Sequence, residues 1–221
     1  MIYKPPFYYE ARVAFGGAAL LGALLLPGLA LLGVVAWTTQ ERTPSLAEIT
    51  PIFELGLTLS AGLLAAHLMT IEREDGFDAI RRTYPESAVR LPLIRTLGAV
   101  VMMLFGALLA SGIFALSAGA YLLADVLIPA LSPALVLLTL ALLANNISGS
   151  PWAAIALVAL VWFFEYQTLG AYTGHFFLFQ SSFPLPDVDY DLNRALLVMI
   201  AGVLAALNVM YSIYRRRFGG D

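Results

Sequence analysis

From position 97 to position 143 the chain runs for 47 residues with one charged side chain, Asp125. A helix needs roughly 20 apolar residues to cross a hydrocarbon layer, so this stretch is too long for one crossing. Nor does it suit a soluble domain, where about a quarter of residues are charged. Over all 221 residues, 60% are hydrophobic and 12% charged. That balance excludes an ordinary globular enzyme, a disordered chain and a nucleic-acid binder. It leaves a polytopic integral membrane protein. The spans are read as helices, because backbone polar groups facing lipid must be satisfied within the segment.

Five apolar tracts, the long one divided by a tight turn near 119–125, predict six transmembrane helices. They fall at about 13–37, 51–71, 97–119, 126–143, 151–169 and 193–214, in one transmembrane domain over 1–221. The first tract is too long for a signal peptide and has no small-x-small cleavage site before Gln40, so it is read as a retained span. Ten of the twelve lysines and arginines fall on one side of this topology, and only Arg42 and Arg194 on the other. Positive charge accumulates on the cytoplasmic side. Both termini are therefore expected in the cytoplasm, with the chain in the inner (plasma) membrane and in contact with its lipid.

The residue types needed for most chemistry are missing or misplaced. There is no cysteine, hence no disulfide and no thiolate ligand, and Lys4 is the sole lysine, which rules out a phosphate-binding P-loop. His67 and His175 lack metalloprotease spacing, and no Gly-x-Ser-x-Gly nucleophile elbow occurs. Asp187, Asp189 and Asp191 alternate like the start of a calcium loop, but Leu192 stands where its glycine belongs and Val198 where its glutamate belongs. Asp191 is read instead as the cap of the last span. Asn145 and Asn146 are read as helix-end caps beside the 147–150 turn. The expectation is a non-catalytic chain with no metal and no cofactor of its own.

Ten of the chain's 27 charged residues lie in the cytoplasmic segment 72–95. Gly76 releases the chain from the second span, and Pro85 ends any helix begun after it. Between them Phe77, Ile80 and Tyr84 stand at i, i+3 and i+7 and form one apolar stripe, with Asp78, Arg81 and Arg82 on the other faces. This is the pattern of a short amphipathic helix lying across the cytoplasmic mouth.

Two acidic residues sit at span ends. Glu54 is placed one turn into the second span, near the outer face, and heads a row with Thr58, Ala61 and Ala65 at i+4, i+7 and i+11. An ionisable group in a span is costly and by default functional, so Glu54 and Thr58 are candidates for a pathway or for close helix packing. Glu165 closes the fifth span and is read as an interfacial anchor or a substrate contact. His67 is read as a hydrogen-bonded packing residue.

The run Ala66-His-Leu-Met-Thr-Ile-Glu-Arg-Glu74, then Asp75-Gly-Phe-Asp-Ala-Ile80, then Tyr84-Pro-Glu-Ser87, with a third span opening after Arg95, resembles the permease subunits of ABC type-2 transporters. The resemblance implies that 77–84 is a coupling helix docking into a cleft on a separate ATP-binding cassette subunit, which would hold ATP and magnesium. It implies a dimer with a second permease copy or homologue, and an exporter. The outer loop 170–192, too apolar around His175-Phe-Phe-Leu-Phe179 for a free loop, would be a re-entrant helix pair, a feature of that family. One departure is the lack of a large extracellular domain. The rival reading is an ion-coupled secondary transporter or channel without an ATPase partner, which calls for paired ionisable residues at mid-membrane and broken helices.

Overall fold

The apolar tracts form helices. The computed structural model describes residues 17–69, 89–118 and 123–218. The coupling stripe at 77–84 (Phe77, Asp78, Ile80, Arg81, Arg82 and Tyr84) lies outside the described residues. The described chain is all helical, without strands. It runs α1 (Gly17–Thr39), α2 (Leu46–Ala65), α3 (Arg90–Ala118), α4 (Leu123–Ser148), α5 (Pro151–Thr168), a 3-10 turn (Gly174–Phe176) and α6 (Tyr190–Phe218).

Five of these helices, α1, α2, α3, α4 and α6, are long and apolar enough to cross a membrane by length and composition. Their outward faces bear exposed side chains such as Leu21, Leu32, Leu97, Leu116 and Val203. Soluble monomers rarely expose apolar surface on this scale. The chain is a multi-pass membrane protein. α5 is the shortest at 18 residues and ends in the polar run Glu165-Tyr-Gln-Thr168.

α2 is the central strut. It packs most extensively on α4, and α4 packs in turn on α6, while α1 lies against α2 and α3, and α5 against α4 and α2. The row Phe53, Leu57, Ala61, Leu64 and Ala65 on α2 is fully buried, in one core cluster with Met102, Met103, Leu137 and Leu138 among others. Small residues allow the close approaches. A Cβ on Gly22 of α1 would stand 2.6 Å from the Leu64 backbone of α2, and one on Gly106 of α3 would collide with the Ala23 carbonyl of α1. Ser60 uses the same α1–α2 approach to donate its hydroxyl to the Gly22 carbonyl.

Several boundaries differ from the sequence expectation. α2 starts at Leu46, five residues before the expected 51, because Glu48 accepts a hydrogen bond from the Ser45 backbone N–H (2.9 Å) and starts the helix there. The 97–143 tract divides as expected, but α3 begins at Arg90 and α4 continues to Ser148. α6 begins at Tyr190, capped by Asp189 rather than Asp191: the Leu192 N–H donates to Asp189 Oδ1 at 2.8 Å.

The expected re-entrant helix pair does not form. Between α5 and α6 there is a single three-residue 3-10 turn, Gly174–Phe176, within an irregular connection. The left-handed residues Leu169 (φ 47°), Gly170 (φ 76°) and Gly174 (φ 52°) and the prolines at 184 and 186 interrupt any longer helix. Side chains satisfy the backbone in place of an intrahelical ladder. We call this connection the cap, and the end of the bundle it covers the capped end.

Candidate functional site

α2 carries Glu54 into the bundle eight residues past its first residue, about 12 Å along the axis at 1.5 Å per residue. That is deeper than a sequence count from 51 suggests, and the side chain is fully buried. A carboxylate in such a place is costly unless it is paired and hydrogen-bonded. Glu54 has both. Arg194 of α6 donates from Nη2 to Glu54 Oε1 at 2.6 Å. The cap supplies three more donors: the Ser181 N–H at 3.2 Å, the Ser182 N–H at 2.8 Å and the Ser182 hydroxyl at 2.5 Å.

Arg194 is itself mostly enclosed, with 12% of its side chain exposed. Its Nη2 also donates to Ser181 Oγ at 2.6 Å, and Nη1 reaches Ser132 Oγ of α4 at a long 3.4 Å. The guanidinium lies 4.9 Å above the centre of the Tyr190 ring, a cation–π contact. Three helices and the cap therefore converge on one ion pair.

A second carboxylate holds the other half of the cap. Glu165 of α5 is buried, contrary to an interfacial anchor, because the chain after Gly170 folds back over it. It accepts from Thr173 Oγ1 (3.1 Å) and the Leu178 N–H (3.2 Å). Asn193 of α6 donates to the His175 and Phe177 carbonyls (2.8 and 2.9 Å), and Gln180 clips Leu185 within the cap through both its amide N and O. With the backbone so satisfied, Phe177, Leu178 and Phe179 enter the core. Phe179 meets the Trp162 ring edge-on at 5.7 Å, and Trp162 Nε1 donates to the Leu55 carbonyl of α2 at 3.0 Å.

The opposite end has its own polar links. Asn145 and Asn146 are not local caps; both are buried inside α4 and reach across it. Asn145 Nδ2 donates to the Ala66 carbonyl at the end of α2. Asn146 Nδ2 donates to Asn208 Oδ1 (2.9 Å) and Ser212 Oγ (2.8 Å) of α6. His67 is partly buried in the turn after α2.

Of the candidates from sequence, Glu54 and Thr58 share a buried face of α2, but the Thr58 hydroxyl turns back onto the Glu54 carbonyl of its own helix. Glu165 lies at the same capped end and binds separate donors. Sequence reasoning missed Arg194, Ser181, Ser182, Gln180 and Asn193. A signal for Arg194 exists, since an arginine in the first turn of an apolar span is as costly as a glutamate there; counting it as topology charge alone hides it. Among the described residues no group of three histidine, aspartate or glutamate side chains is placed to hold a metal. The arrangement is an electrostatic clamp, with the charges neutralised and the carboxylate oxygens taken up by donors. No protein-family model, no curated protein and no solved structure matches this chain.

Proposed function

We propose that the chain is the transmembrane permease subunit of an ATP-driven transporter of the ABC type-2 kind, an exporter working as a dimer above separate ATP-binding subunits. In this reading α5 completes six spans, both termini are cytoplasmic, and the capped end faces outward from the inner membrane. The observation that carries it is the placement of α2. This central helix is tied to the cap and α6 by Glu54 at one end, and to α4 by the Asn145 bond to Ala66 at the other. Immediately beyond, the chain enters the charged 72–95 segment whose sequence resembles a coupling region. Movement of that segment by a nucleotide-driven partner would reach the outer face through α2 as a rigid-body shift. The test is Phe77→Asp and Ile80→Asp in the full chain: both are expected to insert normally and lose the ATPase partner. Retention of that partner at wild-type stoichiometry by either variant overturns the coupling assignment.

A second reading, an ion-coupled transporter or channel, draws on a specific observation. Glu54 and Arg194 form a buried ionisable pair two turns inside α2. Ionisable pairs buried within spans are features of ion pathways and proton relays. It requires transport without nucleotide that Glu54→Gln abolishes.

A further inference from the structure

The donors around Glu54 all belong to one stretch of chain. Ser181 N–H, Ser182 N–H, Ser182 Oγ and Arg194 Nη2 come from the cap and the start of α6, whereas the acceptor comes from α2. Two successive backbone N–H groups, a hydroxyl and a guanidinium form a strong seat for an oxyanion. We propose that residues 177–183 are a lid seated on α2 by this anion cradle, and that the Glu54 carboxylate is the resident anion that latches it. This inference stands apart from the transport reading.

The other hydrogen bonds of the cap do not compete for that role. Glu165 reaches residues 8 and 13 positions away, Gln180 acts within 5 to 8 positions, and Asn193 reaches back 16 and 18. Glu165 and Asn193 hold the cap to its own flanking helices, and Gln180 holds it to itself. Glu54 acts across 127 and 128 positions and ties the lid to the central helix. Loss of its charge would release the lid from α2; the bonds that Glu165 and Asn193 make to Leu178 and Phe177 would open with it, while the Gln180 clip inside the cap stays intact. The left-handed pair Leu169 and Gly170, where α5 ends, gives the connection its sharp turn on one side of the lid.

The native chain has no cysteine, so a single introduced thiol reports directly. Leu178, 3% exposed in the lid, is replaced in Leu178→Cys, and Ala110, fully buried in α3, in Ala110→Cys as a reference site. Each full-length protein, purified in mild detergent, is treated with a water-soluble maleimide with and without Glu54→Gln. The expected result is labelling at 178 that rises about tenfold or more with Glu54→Gln, the scale set by losing a hydrogen bond to a charged group, with 110 unreactive throughout. Unchanged labelling at 178, or an equal rise at 110, overturns the latch. In Glu54→Gly/Leu178→Cys, formate is expected to suppress labelling where the same concentration of chloride does not. No difference between the two salts overturns the anion seat.

Discussion

Glu54 of α2 and Arg194 of α6 are 140 residues apart in the chain and 2.6 Å apart in the fold. Their burial makes the pair strongly asymmetric under mutation. Removing one member of a buried ion pair costs about 3–5 kcal/mol, because the other charge is left uncompensated. Glu54 serves three cap donors besides Arg194, so Glu54→Leu is expected to destabilise the protein more than Arg194→Leu. The double variant should cost less than the sum of the two. Thermal unfolding in detergent across this double-mutant cycle measures all three.

The exposed pair Arg42–Glu48 is a useful contrast. Its N–O distance is 2.5 Å, yet the two side chains remain 46% and 35% exposed. Solvent-exposed pairs contribute little, because water screens both charges. Arg42→Ala is expected to leave the unfolding midpoint nearly unchanged, in the same assay that registers Arg194→Leu clearly.

Glycine substitutions separate tight helix contacts from open faces. Gly106→Ala places a methyl against the Ala23 carbonyl, and Gly22→Ala places one against the Leu64 backbone. Backbone cannot rotate away, so each is expected to cost about 1–3 kcal/mol, as overpacking does. A methyl on Gly112 or Gly202 meets nothing within 4 Å, and both alanine variants are expected to match the wild type. Yield and thermal stability in detergent read the difference.

The links at the opposite end predict a graded effect. Asn146→Leu removes the bonds to Asn208 and Ser212 between α4 and α6. Interhelical hydrogen bonds in membranes are worth about 0.6–2 kcal/mol, so a loss on that scale is expected, in part recovered by Asn208→Leu in the same chain. Asn145→Ala frees the Ala66 carbonyl at the end of α2. On the transport reading it weakens coupling between nucleotide hydrolysis and transport more than it weakens folding; the ratio of transport to ATPase activity tests this.

The helices are legible in the sequence because spanning a bilayer imposes a length and an apolar composition that few other folds share. The division of the 97–143 tract follows from length alone. Glu54 stands out because an ionisable group in a span is costly unless it snorkels to the headgroups or finds a partner. Its partner does not, since positive-inside counting assigns an arginine near a span end to topology before asking what it pairs with. Asn145 and Asn146 mislead for a related reason: next to a turn they have the local signature of caps, while their partners lie 62 to 79 residues away. The cap is hardest. Its apolar Phe177–Phe179 core is visible, but the side chains that replace a helical ladder come from α2, α5 and α6, and no local rule links them.

A separate ATP-binding subunit that drives this chain, as proposed above, would accompany it out of the membrane. The tagged full-length chain is purified from its native membrane in mild detergent, and the co-purifying proteins are identified by mass spectrometry. A stoichiometric partner carrying a phosphate-binding P-loop is the predicted result. A clean preparation without such a partner, at several detergent strengths, would contradict the claim and make Glu54 the first residue to mutate in an ion-flux assay.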